Sequence, residues 1–328
     1  MQYGCRRLLR WFSLTLVLVL APGVCVPAAA AGTPITLAVS RSPLSLLVFV
    51  AADRGFFARE GVDVLVKDCV GGHRCLKLMF AGQADVATAA ELPVVLHAFE
   101  RNDFAIVTTI ATSTDDVKVV SRKSVSRPEQ LVGRRVGMVA GTTSQYFLDI
   151  FLLSTGVNPE QLSSVPLQPE TALEALRSGQ VDAVSLVEPF ALQARALIDG
   201  NILSERGTYA ETFNLVARQT VIGARAEQLR AVLRALSRAQ ALVEEKPAEA
   251  KAVMQRHLQI EPAVIEQMWP GFSFRLSLEQ SLLTTMEGEA RWAIRAGHVT
   301  GTRIPNFLGF VHTGVLRSVR NDAVRLPE

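Results

Sequence analysis

From Pro34 onward, short apolar runs alternate with stretches whose apolar residues recur at three- and four-residue intervals. Ile35–Ser40 reads as a strand, and Leu44–Glu60 carries helical spacing that Gly55 and Gly61 stop. Val62–Cys69 is the next strand, His73–Ala81 a helix ending at Gly82, and Asp85–Ala90 a strand. Leu92–Arg101 reads as a helix and Phe104–Thr112 as a strand. Alternation of this kind predicts a mostly parallel sheet flanked by helices and reached by right-handed crossovers.

A second set of elements follows. Val117–Ser121 and Arg135–Ala140 read as strands, Gly141-Thr142-Thr143-Ser144 as a turn, and Gln145–Thr155 as a helix stopped by Gly156. Glu170–Ser178 is a helix, Asp182–Val187 a strand, Pro189–Asp199 a helix, and Phe213–Ile222 extended. From Ala224 the pattern is mainly helical, broken near Pro247, Pro262, Pro270 and Pro305. The stripe Leu229, Val232, Leu233, Leu236 and Leu242 marks a helix face for core packing.

One unit occurs twice. Ala81-Gly82-Gln83-Ala84-Asp85 is echoed by Ser178-Gly179-Gln180-Val181-Asp182, each after a helix and before an apolar strand. Glu91 stands six residues after Asp85, and Glu188 six after Asp182, with Pro93 and Pro189 just behind. A helix C-cap accounts for each glycine but not for the paired Glu–Pro ends. Two related α/β halves with the same helix–strand unit account for both.

The first thirty residues stand apart. Arg6, Arg7 and Arg10 precede an apolar run from Trp11 to Leu20, and Ala28–Ala31 offers an A-x-A site before Gly32. The run is about half of the ~20 residues a spanning helix needs, so residues 1–31 read as a secretory signal peptide cleaved near Ala31. Cys25 raises a lipid-anchored alternative, although Pro22-Gly23-Val24 lacks the small residue that such processing favours. The Arg6-Arg7 pair is only a loose twin-arginine match, which favours general secretion.

Removing this leader changes the charge balance. The chain has 34 basic and 31 acidic residues, and the leader holds three Arg and no acid, which leaves 34 − 3 = 31 against 31. Without a basic tract, nucleic acid is excluded as the expected partner. Two of the four cysteines, Cys5 and Cys25, fall in the leader. Cys69 and Cys75 bracket Val70-Gly71-Gly72-His73-Arg74, and an oxidising compartment permits a bridge there. Spacing alone leaves both the bridge and two free thiols open.

Ala51-Ala52-Asp53-Arg54-Gly55-Phe56-Phe57 followed by Glu60-Gly61-Val62-Asp63-Val64 resembles a signature of nitrate/sulfonate/taurine-type substrate-binding proteins. Gly82-Gln83-Ala84-Asp85, Gly141-Thr142-Thr143-Ser144, Gly179-Gln180-Val181-Asp182, Glu188-Pro189-Phe190 and the C-terminal Ile304-Pro305-Asn306-Phe307 are similar to that family in order and spacing. A branch resembling binders of thiamine-pyrimidine precursors is also open. The resemblance implies a periplasmic binding protein type II fold, with two α/β lobes joined by two crossover strands around a ligand cleft. Mapped onto this chain, the crossovers fall near Val117–Ser121 and Phe213–Ile222. The first lobe is then residues 32–116 completed by 220–328, and the second 117–219. The resemblance also implies a permease and an ATPase as partners, a periplasmic location, a monomer that meets the membrane only through the permease, and no cofactor.

In open α/β sheets ligands bind beyond the carboxyl ends of strands. On that rule the first lobe contributes Ser40, Arg41, Ser42 and Leu44, then Gly72, His73 and Arg74, then Ala90 and Glu91, then Ser113 and Asp115. The second contributes Gly141, Thr142, Thr143 and Ser144, with Glu188 and Phe190. Gly141–Ser144 opens a helix whose free N–H groups suit an anionic or carbonyl oxygen, as N-capping alone also would. Arg41 and Arg74 point to a sulfonate or carboxylate, whereas Glu91, Asp115 and Glu188 favour an amine or amino-pyrimidine. Together they favour a zwitterionic or hydrogen-bond-rich ligand, with Glu188 reaching it or latching the closed lobes. His73 reads as a ligand contact or as a solvated loop residue, and the remaining histidines show no metal-ligand spacing.

No G-x-S-x-G, P-loop or dinucleotide fingerprint is present, so binding without chemistry is the expected function. Two alternatives share the fold: a sensory module, and enzymes such as the fungal-type thiamine-pyrimidine synthases, whose cysteine-rich, histidine-bearing motif this chain lacks.

Overall fold

The computed structural model describes Met1 and residues 33–326. The expected leader, its cleavage point near Ala31 and Cys25 lie outside the described residues. Among those described, no helix is long and apolar enough to cross a membrane.

Eleven of the strands among the described residues build the two main sheets. β1 (Ile35–Ser40), β2 (Val64–Cys69), β3 (Val86–Ala90) and β4 (Phe104–Ser113) come first. β5 (Val117–Ser121), β6 (Arg135–Met138), β7 (Ser163–Pro166), β8 (Ala183–Val187) and β9 (Asn201–Ile202) follow, then β10 (Glu211–Arg218) and β11 (Phe272–Ser273). They form a six-stranded sheet ordered β11-β4-β10-β3-β1-β2 and a five-stranded sheet ordered β7-β6-β8-β5-β9. In the first, β1 is parallel to β2 and β3, and β10 runs antiparallel between β3 and β4. In the second, β6 is parallel to β7 and β8, while β5 is antiparallel to β8 and β9. The first sheet thus has β10 and the edge strand β11 running against its other four strands, and the second has β5 alone running against its other four.

The helices of the first half are α1 (Leu46–Asp53), α2 (Phe56–Arg59), α3 (Gly72–Phe80) and α4 (Glu91–Ala98). α5 (Thr143–Ser154), α6 (Pro169–Ser178) and α7 (Phe190–Ile198) accompany the second sheet. α8 (Gln219–Ala224), α9 (Ala226–Glu245), α10 (Pro247–Leu258), α11 (Pro262–Met268), α12 (Gln280–Arg295) and α13 (Thr313–Val319) complete the chain. The α9 stripe is buried at Leu229, Val232, Leu233 and Leu236, in the same core as β1, β3 and α1. Separate clusters around Phe147 and Phe151, and around Leu176 and Val184, serve the second sheet.

The repeated sequence unit has one physical role. Gly82 and Gly179 adopt left-handed φ of 72° and 80°, which glycine tolerates best, and each ends a helix. The aspartate three residues later then clamps the start of the neighbouring strand. Asp85 Oδ2 accepts from Thr36 N at 2.8 Å, and Asp182 Oδ2 accepts from Arg135 N at 3.1 Å. Both aspartate N–H groups donate back to the carbonyl of that same residue at 2.8 Å. β3 and β8 are thereby seated against β1 and β6 in the same way.

Three segments differ from the sequence expectation. Leu44–Glu60 is not one helix, because Gly55 at φ 63° separates α1 from α2. The exposed β7 and the two-residue β9 carry too few apolar residues to show as strands. Phe213–Ile222 is not extended throughout: its first part belongs to β10, a central strand of the first sheet, and its second part is α8. Residues 203–210 connect β9 of the second sheet to β10 of the first.

Candidate functional site

A cavity of about 80 Å³ lies between the two sheets. The ends of parallel strands reach it through Ser40, Ala90, Val139 and Val187. The starts of helices reach it through Gly72 and His73 of α3, Thr143 and Ser144 of α5, Pro169 of α6 and Phe190 of α7. This is the crevice that the carboxyl-end rule anticipates, doubled by the second sheet.

The internal repeat continues into the cavity. Glu188 follows Glu91 by 188 − 91 = 97 residues, and the same offset relates Ala90 to Val187 and Pro93 to Phe190. All four of these neighbours line the cavity, while the two glutamates do not. Glu91 accepts from Thr212 N and Oγ1 at 2.9 and 2.8 Å and from the Tyr209 hydroxyl. Glu188 accepts from Leu192 N at 3.1 Å and pairs with Lys118 at 3.2 Å. Burial pushes both carboxyls up to about 7. Glu188 was expected at the ligand or as a latch and Glu91 at the ligand; here Glu188 accepts within the first turn of α7, and Glu91 accepts from the start of β10 and from Tyr209.

Of the residues expected at the site, Ser40, Ser42, Leu44, Gly72, His73, Ala90, Thr142, Thr143, Ser144 and Phe190 line the cavity. Several of their hydroxyls are already committed. Thr142 Oγ1 donates to Val139 O at 2.7 Å, and Ser144 Oγ donates to Ser185 O at 2.5 Å while accepting from Val139 N at 3.1 Å. Gly141 N donates to Gln145 Oε1 at 2.9 Å, just outside the lining. Ser113 Oγ donates to Gly271 O at 2.8 Å and faces a separate polar cavity.

Neither candidate arginine lines the cavity. Arg41 is exposed and donates to His257 O at 3.2 Å, since its side chain leaves the strand end on the outer side. Arg74 reaches from α3 to the second half, where it meets Glu170 at 2.5 Å and Gln168 at 2.8 Å. Asp115 is held by Lys118 at 2.8 Å and Arg206 at 3.1 Å. His73 is the one basic side chain on the wall, and burial, helped by Arg74 and Lys77, lowers it to about 4. At neutral pH it is an uncharged donor–acceptor.

The charge on the wall is instead acidic. Asp116 precedes β5 and Glu211 begins β10, and both line the cavity while almost fully buried. Thr143 Oγ1 of the second half donates to Glu211 Oε1 of the first at 3.0 Å, across the cavity wall. The two carboxyls are hydrogen-bonding neighbours of each other. Burial and the nearby Glu188 carboxylate raise Asp116 to about 7; burial and Asp116 itself raise Glu211 well above its usual range. The carboxyl-end rule misses both, because β5 and β10 run antiparallel and bring their amino ends to the same edge. Strand parity was the available signal: Glu211 and Phe213 lie two apart on one face of β10, and both reach the cavity.

The Gly71–His73 wall is stapled. Cys69 at the end of β2 and Cys75 in α3 form a disulfide with Cα atoms 5.6 Å apart, which resolves the two readings left open by spacing. Gly72 packs directly on β3: a Cβ there would lie 2.6 Å from Ala89 Cα and 3.1 Å from Thr88 O. Among the described residues no group of three or more His, Cys, Asp or Glu side chains could hold a metal ion.

Comparison with known proteins places this architecture. Residues 43–250 match the family model described as NMT1/THI5 like. The taurine-binding periplasmic protein of Escherichia coli is 24% identical over 154 residues, 47% of this chain and 48% of that protein. The match thus spans about half the length of that relative. The periplasmic aliphatic sulphonate binding protein SsuA of Escherichia coli superposes with a TM-score of 0.73 at 14% identity, covering 90% of this chain and 94% of the other. The desulfurization enzyme DSZB superposes with a TM-score of 0.65 at 15% identity, covering 88% and 99%. The fold is accordingly that of the periplasmic binding proteins, and the chain belongs to the NMT1/THI5-like family.

Proposed function

We propose that the protein is the extracytoplasmic solute-binding subunit of an ATP-driven importer. It captures a small polar organic molecule between its two α/β halves and delivers it to a permease and its ATPase. The observation that carries this reading is the cavity itself, walled by matching strand ends and helix starts of both halves. The taurine- and sulphonate-binding relatives supply the solute-binding context. In this reading residues 114–116 and 203–210 are the crossing segments, and the halves close on the ligand as lobes. Arg74 with Glu170 and Thr143 with Glu211 span the two halves and hold the closed form.

The exported, mature chain would act as a monomer in the periplasm and release its ligand unaltered, although the same fold supports the desulfurization enzyme. A thermal-shift screen of the mature protein with sulfonates, carboxylates, amino acids, pyrimidines and nitrate tests the reading. A solute at a hundredfold excess over its Kd adds about 2.7 kcal/mol to folded-state stability. A shift with the compound recovered unchanged supports capture. Turnover of the bound compound, or a screen without any stabilising solute, refutes it.

A further inference from the structure

The charge of the cavity departs from what an anion receptor needs. Around its floor lie four carboxyls, Asp115, Asp116, Glu188 and Glu211, against two cations, Lys118 and Arg206. Lys118 is taken up by Asp115 and Glu188, and Arg206 by Asp115. Arg41 and Arg74 are engaged elsewhere. Asp116 and Glu211, 2% and 3% exposed, keep one oxygen each, Oδ1 and Oε2, without a hydrogen-bond donor among the described residues. Buried acceptors left unpartnered are costly and rare. Two adjoining carboxyls with no protein donor between them can be joined only by a proton or by a donor brought from outside.

Resting on the solute-binding reading above, we propose that this site takes a ligand bearing a protonated amine, whose N–H groups replace the proton shared by Asp116 and Glu211. The exchange balances in atoms and charge. The ammonium enters with its positive charge, both carboxyls become carboxylates, and the displaced proton goes to solvent. The rest of the ligand lies against Phe190, Phe213 and Pro93, with neutral His73 and the starts of α3 and α5 on the remaining wall. Simple alkanesulfonates and alkanecarboxylates, which bring charge of the wrong sign to the acids, are rejected.

Affinity then depends on pH in a defined sense. The groups facing the pair are Glu188, Asp115 and Lys118 around Asp116, and Glu91 and Tyr209 around Glu211. Burial, Glu188 and Asp115 oppose ionisation of Asp116 while its Glu211 neighbour and Lys118 favour it, and burial prevails, so the empty pair holds its proton towards neutral pH. Below pH 7 rising pH should strengthen ammonium binding by up to about tenfold per unit for each proton the pair releases.

Matched pairs of compounds test this: taurine against ethanesulfonate, β-alanine against propionate, and 4-aminobutyrate against butyrate. Each is titrated calorimetrically into the mature protein at pH 5.5, 6.5 and 7.5, in two buffers of different ionisation enthalpy. Binding of an aminated member but not of its partner, with proton release and affinity rising with pH, supports the proposal. Asp116→Asn and Glu211→Gln should each weaken that binding about tenfold or more, as expected for loss of a charge-assisted hydrogen bond. Each variant's unliganded melting temperature shows that it folds. The proposal is overturned if a partner lacking the amine binds as well, if affinity falls as pH rises, or if no aminated member binds. In the first case solute binding stands and only the ligand class fails; if the broader solute screen is also silent, both readings fail.

Discussion

Gly72→Ala probes the contact on which the cavity wall is built. The glycine's φ is not in the left-handed region, so alanine meets no backbone strain there and the cost is packing alone. The added Cβ would sit 2.6 Å from Ala89 Cα and 3.0 Å from Ala89 Cβ, both on a strand rather than on a flexible side chain. Ordinary carbon contacts lie near 3.5–4.0 Å, so α3 must retreat from β3 by about 1 Å. Overpacking of this size costs about 1–3 kcal/mol, and the gain from removing glycine's chain entropy offsets about 0.5–1 kcal/mol. The net loss, centred near ~1 kcal/mol and at most about 2.5 kcal/mol, should lower the melting temperature by about 2–6 °C in a chain of this size. Because Gly72 and Ala90 both line the cavity, the retreat should also weaken binding of whichever solute stabilises the wild-type protein. Gly133→Ala is the control: at φ 73° with open space around it, it should lower stability through backbone strain and leave affinity unchanged. Differential scanning fluorimetry and calorimetric titration measure both quantities. A Gly72→Ala protein with wild-type melting temperature and wild-type affinity would refute the close packing of α3 on β3.

Three further outcomes follow from other contacts. The Arg74–Glu170 pair is 35% and 48% exposed, so its coupling should be about 0.2–1 kcal/mol. Arg74→Gln and Glu170→Gln should each speed ligand release about two- to fivefold and fail to add in the double variant, whereas additive stopped-flow rates would remove the latch. Cys69→Ser with Cys75→Ser opens a short loop whose closure contributes about 2 kcal/mol, so the melting temperature should fall and affinity weaken; unchanged values in unreduced and reduced protein would refute the staple. The ligand-free protein should be more stable at pH 5 than at pH 8. Glu91, Asp116 and Glu188 are raised to about 7, so between the unfolded carboxyl range and pH 7 the folded state binds more protons than the unfolded one. His73 and His97, lowered by burial, act the other way below about pH 6.5, but the raised carboxyls outnumber them. Stability therefore declines as pH rises through that window, and a flat or rising melting temperature from pH 5 to 8 would contradict it. The carboxyls lowered by arginine partners, Glu60 and Asp103, act at lower pH and do not mask this trend.

The sheet-and-helix order was legible because buried parallel strands are near-continuous apolar runs preceded by a helix stop, as at Val86–Ala90 and Ala183–Val187. The repeat was legible because Asp85 and Asp182 perform the same clamp on the neighbouring strand. That same repeat misled the reading of the site. Its most visible residues, Glu91 and Glu188, point into buried networks behind the cavity wall: Glu188 accepts at the start of α7 and pairs with Lys118, and Glu91 accepts from the start of β10. The residues facing the cavity at the matching positions are Ala90, Pro93, Val187 and Phe190, most of them apolar and individually unremarked in a sequence. Asp116 was hidden beside Asp115: neighbouring residues at a strand start project to opposite faces, so one acid meets Lys118 and Arg206 and the other the cavity. Glu211 was hidden by strand direction, since a rule about carboxyl ends is blind to a strand inserted antiparallel. Both omissions share a cause that extends beyond this chain. Each crossing between the sheets must reverse a strand, so the amino ends of β5 and β10 are carried to the cavity by topology itself. An ionisable residue at the first position of a returning strand is therefore a better candidate for ligand contact than one repeated in both halves, because repetition marks what the fold needs twice and the ligand is met only once.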